Sequence, residues 1–252
     1  HTRSITVTGV QTCALPISAW KQGTPTGEKV AGTPPPPEKP CPPGADLIAL
    51  TEPGLLDDVP VNFLEIVELR ASARRYSDAP LTMKELSFLL WCTQGVKMET
   101  PQGTTLRNVP SAGARHALET YLLIQRVEGV TPGLYRFLAL EHALLPIETG
   151  KKALEKLFPC FMGPGMIRGS AVTFLWAADL RRMTCRYGRR SARFIFLDAG
   201  HVCQNLYLAA QAVGIGVCAV GAFYDDDLNA ALHLSGCDDF VVYGATAGKL
   251  LR

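Results

Sequence analysis

The chain has 252 residues, of which 47% are hydrophobic and 19% charged, the profile of an ordinary globular protein long enough to bury a sizeable core. Its formal net charge of +2 predicts no nucleic-acid and no membrane partner and leaves small molecules as the expected ligands. The eight cysteines form no Cys-x-x-Cys pair and accompany no histidine cluster at metal spacing, so no metal site is expected. Most lie in apolar runs such as Leu90-Trp91-Cys92, where a free thiol acts as a small hydrophobe and suits a reducing cytoplasm.

Residues 1–18 have no steady apolar period. Arg3 before a loosely apolar stretch suggests a signal peptide, but Gln11, Thr12 and Pro16 interrupt it, and the segment reads as a non-native leader resembling out-of-frame translation. Residues 19–55 form a proline-rich extended arm, because Pro34 to Pro37, Pro40, Pro42 and Pro43 remove backbone donors and deny helical geometry. The main domain is expected over residues 56–252. Its first helix covers 61–70, with Asp57, Asp58 and Pro60 as start signals and Phe63, Leu64, Ile66, Val67 and Leu69 as apolar positions. The second opens on a capping box, Thr82-Met83-Lys84-Glu85, and closes at Gly95.

After a turn-rich stretch at 99–113, residues 121–127 predict a buried strand, 134–138 and 143–147 a hairpin, 151–158 a helix and 171–178 a further strand. A long helix then runs from Phe194 to Gly214. It is apolar on nearly every face, which requires protein around it, yet Asp198, His201, Gln204 and Asn205 make it too polar to span a membrane. A strand at 217–220, a helix at 226–234 capped by Asp225 and a last strand at 240–243 follow. The mixture argues an α+β fold, an antiparallel or mixed central sheet flanked by helices.

Four stretches suit chemistry. In Arg70-Ala71-Ser72-Ala73-Arg74, alternation along an extended backbone puts residues 70, 72 and 74 on one side. Two guanidinium groups and a hydroxyl match a phosphate monoester; the plainer reading is that cations favour a helix C-terminus. Pro110-Ser111-Ala112-Gly113-Ala114-Arg115-His116 is either a small-residue loop that lets backbone approach a flat ligand or a surface loop with solvated ends. Arg186-Tyr187, with Arg189, Arg190 and Arg193, leads into the long helix against its dipole and is either a site for an anionic ligand or a solvated helix entry. Gly214, Gly216 and Gly221 form no Gly-x-Gly-x-x-Gly after a strand, so a dinucleotide fingerprint is rejected, although Gly221-Ala222 offers bare N–H groups to a ring edge.

In order and spacing these pieces resemble the nitroreductase-like flavoproteins, and among them the SagB/ThcOx-type dehydrogenases. The resemblance runs over residues 34–248 through Glu38-Lys39-Pro40, Arg70-x-Ser72-x-Arg74, Leu86 to Trp91 with Gln94-Gly95, and Pro110 to His116. It continues through Glu119-Thr120-Tyr121, Pro132-Gly133-Leu134-Tyr135, Asp198-Ala199-Gly200-His201 and Gln204-Asn205-Leu206. It implies a nitroreductase-like fold, an intimate homodimer with FMN at the interface, and ping-pong hydride transfer from NAD(P)H to an organic acceptor.

Carried over by position, the resemblance implies that Arg70, Ser72 and Arg74 hold the ribityl phosphate, assisted by Lys249 or Arg252. Pro110, Ser111, Ala112 and Gly113, with Arg115, would line the flavin from the partner subunit, and Gly221 and Ala222 would bring N–H groups to its reactive nitrogen. Ala71 stands where the family often has a basic residue. Arg186-Tyr187 stands where azoline-oxidising members have Lys-Tyr. Arginine stays charged and is a poor base, so Arg186 and Tyr187 are read as catalytic-site residues that orient the substrate. Two alternatives are an azoline-to-azole dehydrogenase in peptide tailoring and a non-catalytic flavin-binding protein. Against this background the polar groups of the long helix are core or interface residues.

Overall fold

The computed structural model describes residues 35–53, 62–101 and 103–251; the leader, the start signals Asp57, Asp58 and Pro60, and Arg252 lie outside them. In chain order the elements are β1 (Ile48–Ala49), α1 (Phe63–Leu69), α2 (Met83–Gln94), β2 (Val96–Glu99), β3 (Thr105–Arg107), β4 (Leu118–Ile124), β5 (Gly133–Leu138) and β6 (Ala143–Thr149). They continue with α3 (Lys151–Leu157), α4 (Gly165–Gly169), β7 (Val172–Asp179), α5 (Leu180–Tyr187), α6 (Ser191–Ala212), β8 (Ile215–Val220), α7 (Asp225–Ala231) and β9 (Asp239–Lys249). Seven strands pair in the order β1-β6-β5-β4-β7-β9-β8, antiparallel at every step, while β2 and β3 form a separate hairpin. The α+β expectation holds, with a purely antiparallel sheet.

Strands β4 and β7 are buried along their whole length because both faces of the sheet are covered. Successive side chains point to opposite faces. Leu118, Leu122 and Ile124 of β4, with Phe174 and Trp176 of β7, enter one core against Leu86, Leu89 and Leu90 of α2 and Ile195, Val202 and Leu206 of α6. Tyr121, Leu123, Leu175 and Ala177 enter the other, against Leu154 and Leu157 of α3 and Leu228 of α7. This makes a helix–sheet–helix sandwich.

The capping box forms as expected: Glu85 N–H donates to Thr82 Oγ1 at 3.2 Å and Thr82 N–H to Glu85 Oε2 at 2.9 Å. Gly95 does end α2, for lack of room rather than for a left-handed turn. Its φ is −54°, and a Cβ there would lie 2.4 Å from the Trp91 ring.

Other boundaries differ from expectation. Helix α1 is capped by Asn62, whose side chain accepts from the N–H groups of Leu64 and Glu65. Helix α7 begins at Asp225 itself, after Tyr224, with its aspartates in the first turn where the dipole favours them. The turn-rich stretch at 99–113 contains β3. Strand β9 is much longer than the expected 240–243 and runs on through Gly244 to Gly248, where neighbours crowd the chain. A Cβ on Gly244 would lie 2.8 Å from the Phe174 carbonyl oxygen, and one on Gly248 2.9 Å from the Tyr76 ring. Lys249 therefore lies inside the last strand, not after it.

Arg186 and Tyr187 do not form the entry of the long helix. They end a separate helix, α5, which Asp179 caps by accepting from Arg181 N–H, and Arg186 sits in its last turn, where a cation is favoured. Helix α6 buries one face only. Phe196 (46% exposed) and Leu197 (53%) are open on the other, as are Phe63 (67%) and Leu64 (64%) on α1.

The prolines of the arm have no N–H to give, and its described part is bound to the domain by side chains, by carbonyls, by the Lys39 N–H, which donates to Glu119 at 2.8 Å, and by the pairing of β1 with β6. Buried Glu38 accepts from the N–H groups of Ala139 and Leu140, Lys39 pairs with Asp239, and Arg136 donates to the carbonyls of Lys39 and Pro40. Burial pushes the Glu38 carboxyl up to about 7.

Candidate functional site

Residues 70–76 leave α1 in an extended conformation and run beside the free edge of β8, where Ser72 bridges Val217 and Ala73 N–H donates to the Val217 carbonyl at 2.9 Å. The approach is close: a Cβ on Gly216 would lie 2.6 Å from Ala73 Cβ. Tyr76 anchors the segment by donating to the Ala73 carbonyl at 2.6 Å. Arg70 lies 5.4 Å over the ring of Tyr207, and Ser72 Oγ is 3.0 Å from Tyr207 Oη, which also accepts from Ala219 N–H at 2.8 Å. No carboxylate among the described residues pairs with Arg70 or Arg74. Ala71 is exposed and adds no charge. Lys249 ends β9 beside Ile215 of β8, but its ammonium is engaged by Glu85.

The Pro110 loop is held by Asp198 of α6. Ser111 Oγ donates to Oδ2 at 2.6 Å and Ala112 N–H to Oδ1 at 3.2 Å, while His116 N–H donates to Ser111 Oγ at 2.9 Å. Gly113 adopts φ 58°, and a Cβ there would stand 2.6 Å from Tyr187 Oη and 2.8 Å from Arg186 Nε. Arg115 Nε donates to the Gly113 carbonyl at 3.0 Å. The fold thus joins the loop to Arg186-Tyr187, which the sequence keeps far apart.

Gly221 and Ala222 follow β8 and are exposed. The Ala222 carbonyl accepts from Met162 N–H at 3.0 Å, and the nearest atom to a Cβ on Gly221 would be in the Tyr243 ring, 4.0 Å away. Protein packing does not require a glycine there. The loop and the arginine segment are not brought together within the chain. Asp198 and Tyr207, which contact them, are nine residues apart on α6, about 13 Å along the helix.

Asp198 and Asn205 are paired inside the chain, Asn205 by donating to the Cys92 carbonyl at 2.9 Å, whereas His201 and Gln204 face outward. The sequence reading missed Tyr207, which stands in Leu206-Tyr207-Leu208-Ala209 as one more apolar residue; only the fold shows the use of its hydroxyl. Burial pushes the Cys92 thiol up to about 11 and Cys203 up to about 12, far from nucleophile range. Among the described residues, no group of three or more His, Cys, Asp or Glu is placed to hold a metal, and no helix is long and apolar enough to cross a membrane.

A donor set suited to a phosphate monoester at a sheet edge, with a small-residue loop suited to a flat ring, matches the class of proteins built around a phosphorylated cofactor. The sequence pattern of the nitroreductase family matches residues 67–249, and the chain belongs to that family of FMN-dependent oxidoreductases. A nitroreductase-family protein of Methanocaldococcus jannaschii is 34% identical over 177 residues, 68% of this chain and 83% of that protein. The trifolitoxin-processing protein TfxB of Rhizobium leguminosarum bv. trifolii is 29% identical over 170 residues, 62% of this chain but only 45% of its own length. A nitroreductase-like structure from Anabaena variabilis superposes with TM-score 0.68 at 28% identity, covering 83% of this chain and 42% of that one. Two more distant structures share the fold. A chain of the Escherichia coli microcin synthetase complex has TM-score 0.61 at 17% identity, over 95% of this chain and 84% of its own. A Desulfovibrio desulfuricans structure in complex with FMN has TM-score 0.54 at 18% identity, over 77% and 88%.

His116 anchors the loop from a strained backbone (φ 43°) and is buried. Burial, with Arg107 and Arg115 nearby, pushes its imidazole from 6.5 down to about 3. A folded value below the unfolded one means that the neutral side chain adds stability above pH 6.5, lost as pH falls towards 3. His116→Asn, which tolerates the positive φ, should flatten the pH dependence of the unfolding free energy measured in urea across that range by up to about 1.4 kcal/mol per pH unit. Equal slopes for both proteins would rule this out.

Proposed function

We propose that the protein is a homodimeric oxidoreductase that binds FMN, accepts hydride from NAD(P)H and passes it to an organic acceptor in a ping-pong cycle. The observation that carries the reading is the set of Arg70, Ser72 and Arg74 on one extended segment, its two guanidinium groups without carboxylate partners among the described residues, in a chain of this family. Two forked cations and a hydroxyl fit a phosphate monoester. Bound FMN would supply the hydride chemistry itself.

In this reading Arg70, Ser72 and Arg74 hold the phosphate, and Gly221 and Ala222 offer N–H groups to the ring edge. Lys249 contributes only if Glu85 releases it. Pro110 to Gly113 and Arg115 line the ring from the second protomer, which overcomes the separation along α6. The apolar residues exposed on α1 and α6 are the surface that a second copy covers. Arg186, a fixed cation against the Gly113 turn, orients an anionic or carbonyl group, and Tyr187 presents its hydroxyl beside it. Free thiols at the described cysteines suit a cytoplasmic setting.

A second reading, azoline-to-azole oxidation on a peptide, draws support from the similarity to the trifolitoxin-processing protein. Arg186 disfavours it, because a guanidinium does not give up its proton to become a base. The third, flavin binding without turnover, is separated by reduction.

Purified protein should be yellow and bleach with NAD(P)H under anaerobic conditions. Arg70→Ala with Arg74→Ala should weaken FMN retention on dialysis by about 10²-fold or more. Colourless protein that cannot be reconstituted overturns the reading, and bound FMN that no donor reduces favours the third. Leu197→Glu should convert a dimer seen by light scattering into a monomer and release FMN; a wild-type monomer with full occupancy would contradict the interface site. Arg186→Lys assayed on an azoline peptide decides the second reading, which fails if neither form turns it over.

A further inference from the structure

We propose that Tyr207 is a positioning residue of the phosphate site: its hydroxyl commits Ser72 to donating outward, and its ring holds Arg70 in place. The inference rests on the reading of residues 70–74 as the phosphate-binding segment.

Tyr207 is half-buried on α6 and faces the free edge of β8. Ala219, on that edge strand, donates its N–H to Tyr207 Oη at 2.8 Å, so the phenol oxygen already serves as an acceptor. Ser72 Oγ lies 3.0 Å from the same oxygen. A phenol has one hydrogen to give. If Ser72 donated to Tyr207, that hydrogen would need another acceptor, and the oxygen has no other hydrogen-bond partner among the described residues. The arrangement that uses it is Tyr207 donating to Ser72. The hydrogen of Ser72 is then left to point away from Tyr207, and both Ser72 and Arg74 are exposed.

An anion accepts hydrogen bonds and gives none. A serine free to rotate meets it as a donor only part of the time, whereas one that already accepts from the protein is held in the donating orientation. The Tyr207 ring adds a second constraint, since the Arg70 guanidinium sits 5.4 Å over its centre, within cation–π range. One side chain thus ties the central helix to the strand edge and to two of the three proposed phosphate ligands. Phenylalanine in its place keeps the ring, and with it the Arg70 contact, but leaves Ala219 N–H without its acceptor and Ser72 free to turn.

The test measures FMN and riboflavin affinity of flavin-depleted protein by flavin fluorescence, because only FMN has the phosphate. Tyr207→Phe should weaken FMN about tenfold and riboflavin less than about twofold. Ser72→Ala should lower the same affinity ratio by a similar factor, and the double variant should be no weaker than Ser72→Ala within about twofold, since the two residues act as a unit. Thermal unfolding of each flavin-free variant keeps the comparison to folded protein, and Ser72→Ala tests the donor role even where Tyr207→Phe does not fold. Equal loss of both flavins, additive losses, or an unchanged ratio in Ser72→Ala overturns the role of Tyr207. Arg74→Ala separates the two levels of argument. If it too leaves the ratio unchanged, the phosphate segment itself is overturned; if it lowers the ratio while Tyr207→Phe does not, only the positioning role falls.

Discussion

The carboxylate of Asp198 must find donors, because it is buried on a helix whose covered face is otherwise almost wholly apolar. It finds them in Ser111 Oγ and Ala112 N–H, and that pairing places the Pro110 loop over the N-terminal half of α6. Burial raises the Asp198 carboxyl above its usual value, while the two donors pull it back towards the charged form. The loop in turn puts Gly113 against Arg186 and Tyr187. Further along the same helix Asn205 binds the Cys92 carbonyl of α2, and Tyr207 binds the β8 edge and Ser72. Each half of the candidate site is therefore located by a polar side chain of α6 meeting its hydrogen-bonding needs.

The open edge of the sheet is the second constraint. An unpaired edge strand is a template for unwanted pairing. Here β8 is covered by residues 72 and 73 and by the Tyr207 hydroxyl, the same groups that display Ser72 and the arginines. The segment that covers the edge is also the one that carries the proposed phosphate-binding residues. Glycines of the last two strands in the sheet order belong to the same arrangement, since Gly248 of β9 leaves room for Tyr76 and Gly216 of β8 for Ala73.

What the sequence made legible were features with a local cause. The Thr82–Glu85 box, the doubly buried run at Tyr121 to Ile124 and the hairpin of β5 and β6 follow from capping, burial and turn chemistry within a few residues. Strand β9 was hidden because its Gly and Ala residues answer to neighbours distant in sequence. Helix α5 was hidden because Arg181, Arg182 and Arg186 look like solvated charge, although Arg182 is buried against Glu119 and Asp179. For the site, the types and alternation of Arg70, Ser72 and Arg74 could be read. Their tie to Tyr207, the engagement of Lys249 by Glu85, and the meeting of Gly113 with Arg186 and Tyr187 depend on tertiary approach, which no local pattern encodes.

The position of Arg186 bears most on the chemistry proposed here. In the last turn of α5 a cation is favoured by the free carbonyls. Its exposed side chain passes close to Gly113, which is in the left-handed region, and a Cβ there would stand 2.8 Å from Arg186 Nε. A fixed charge beside the Tyr187 hydroxyl suits an acceptor that must be held and polarised. It does not suit a reaction that begins with removal of a proton by a neutral amine. A reductase reading needs only the first of these, which is why one substitution at this position weighs more heavily than similarity over a long but partial alignment.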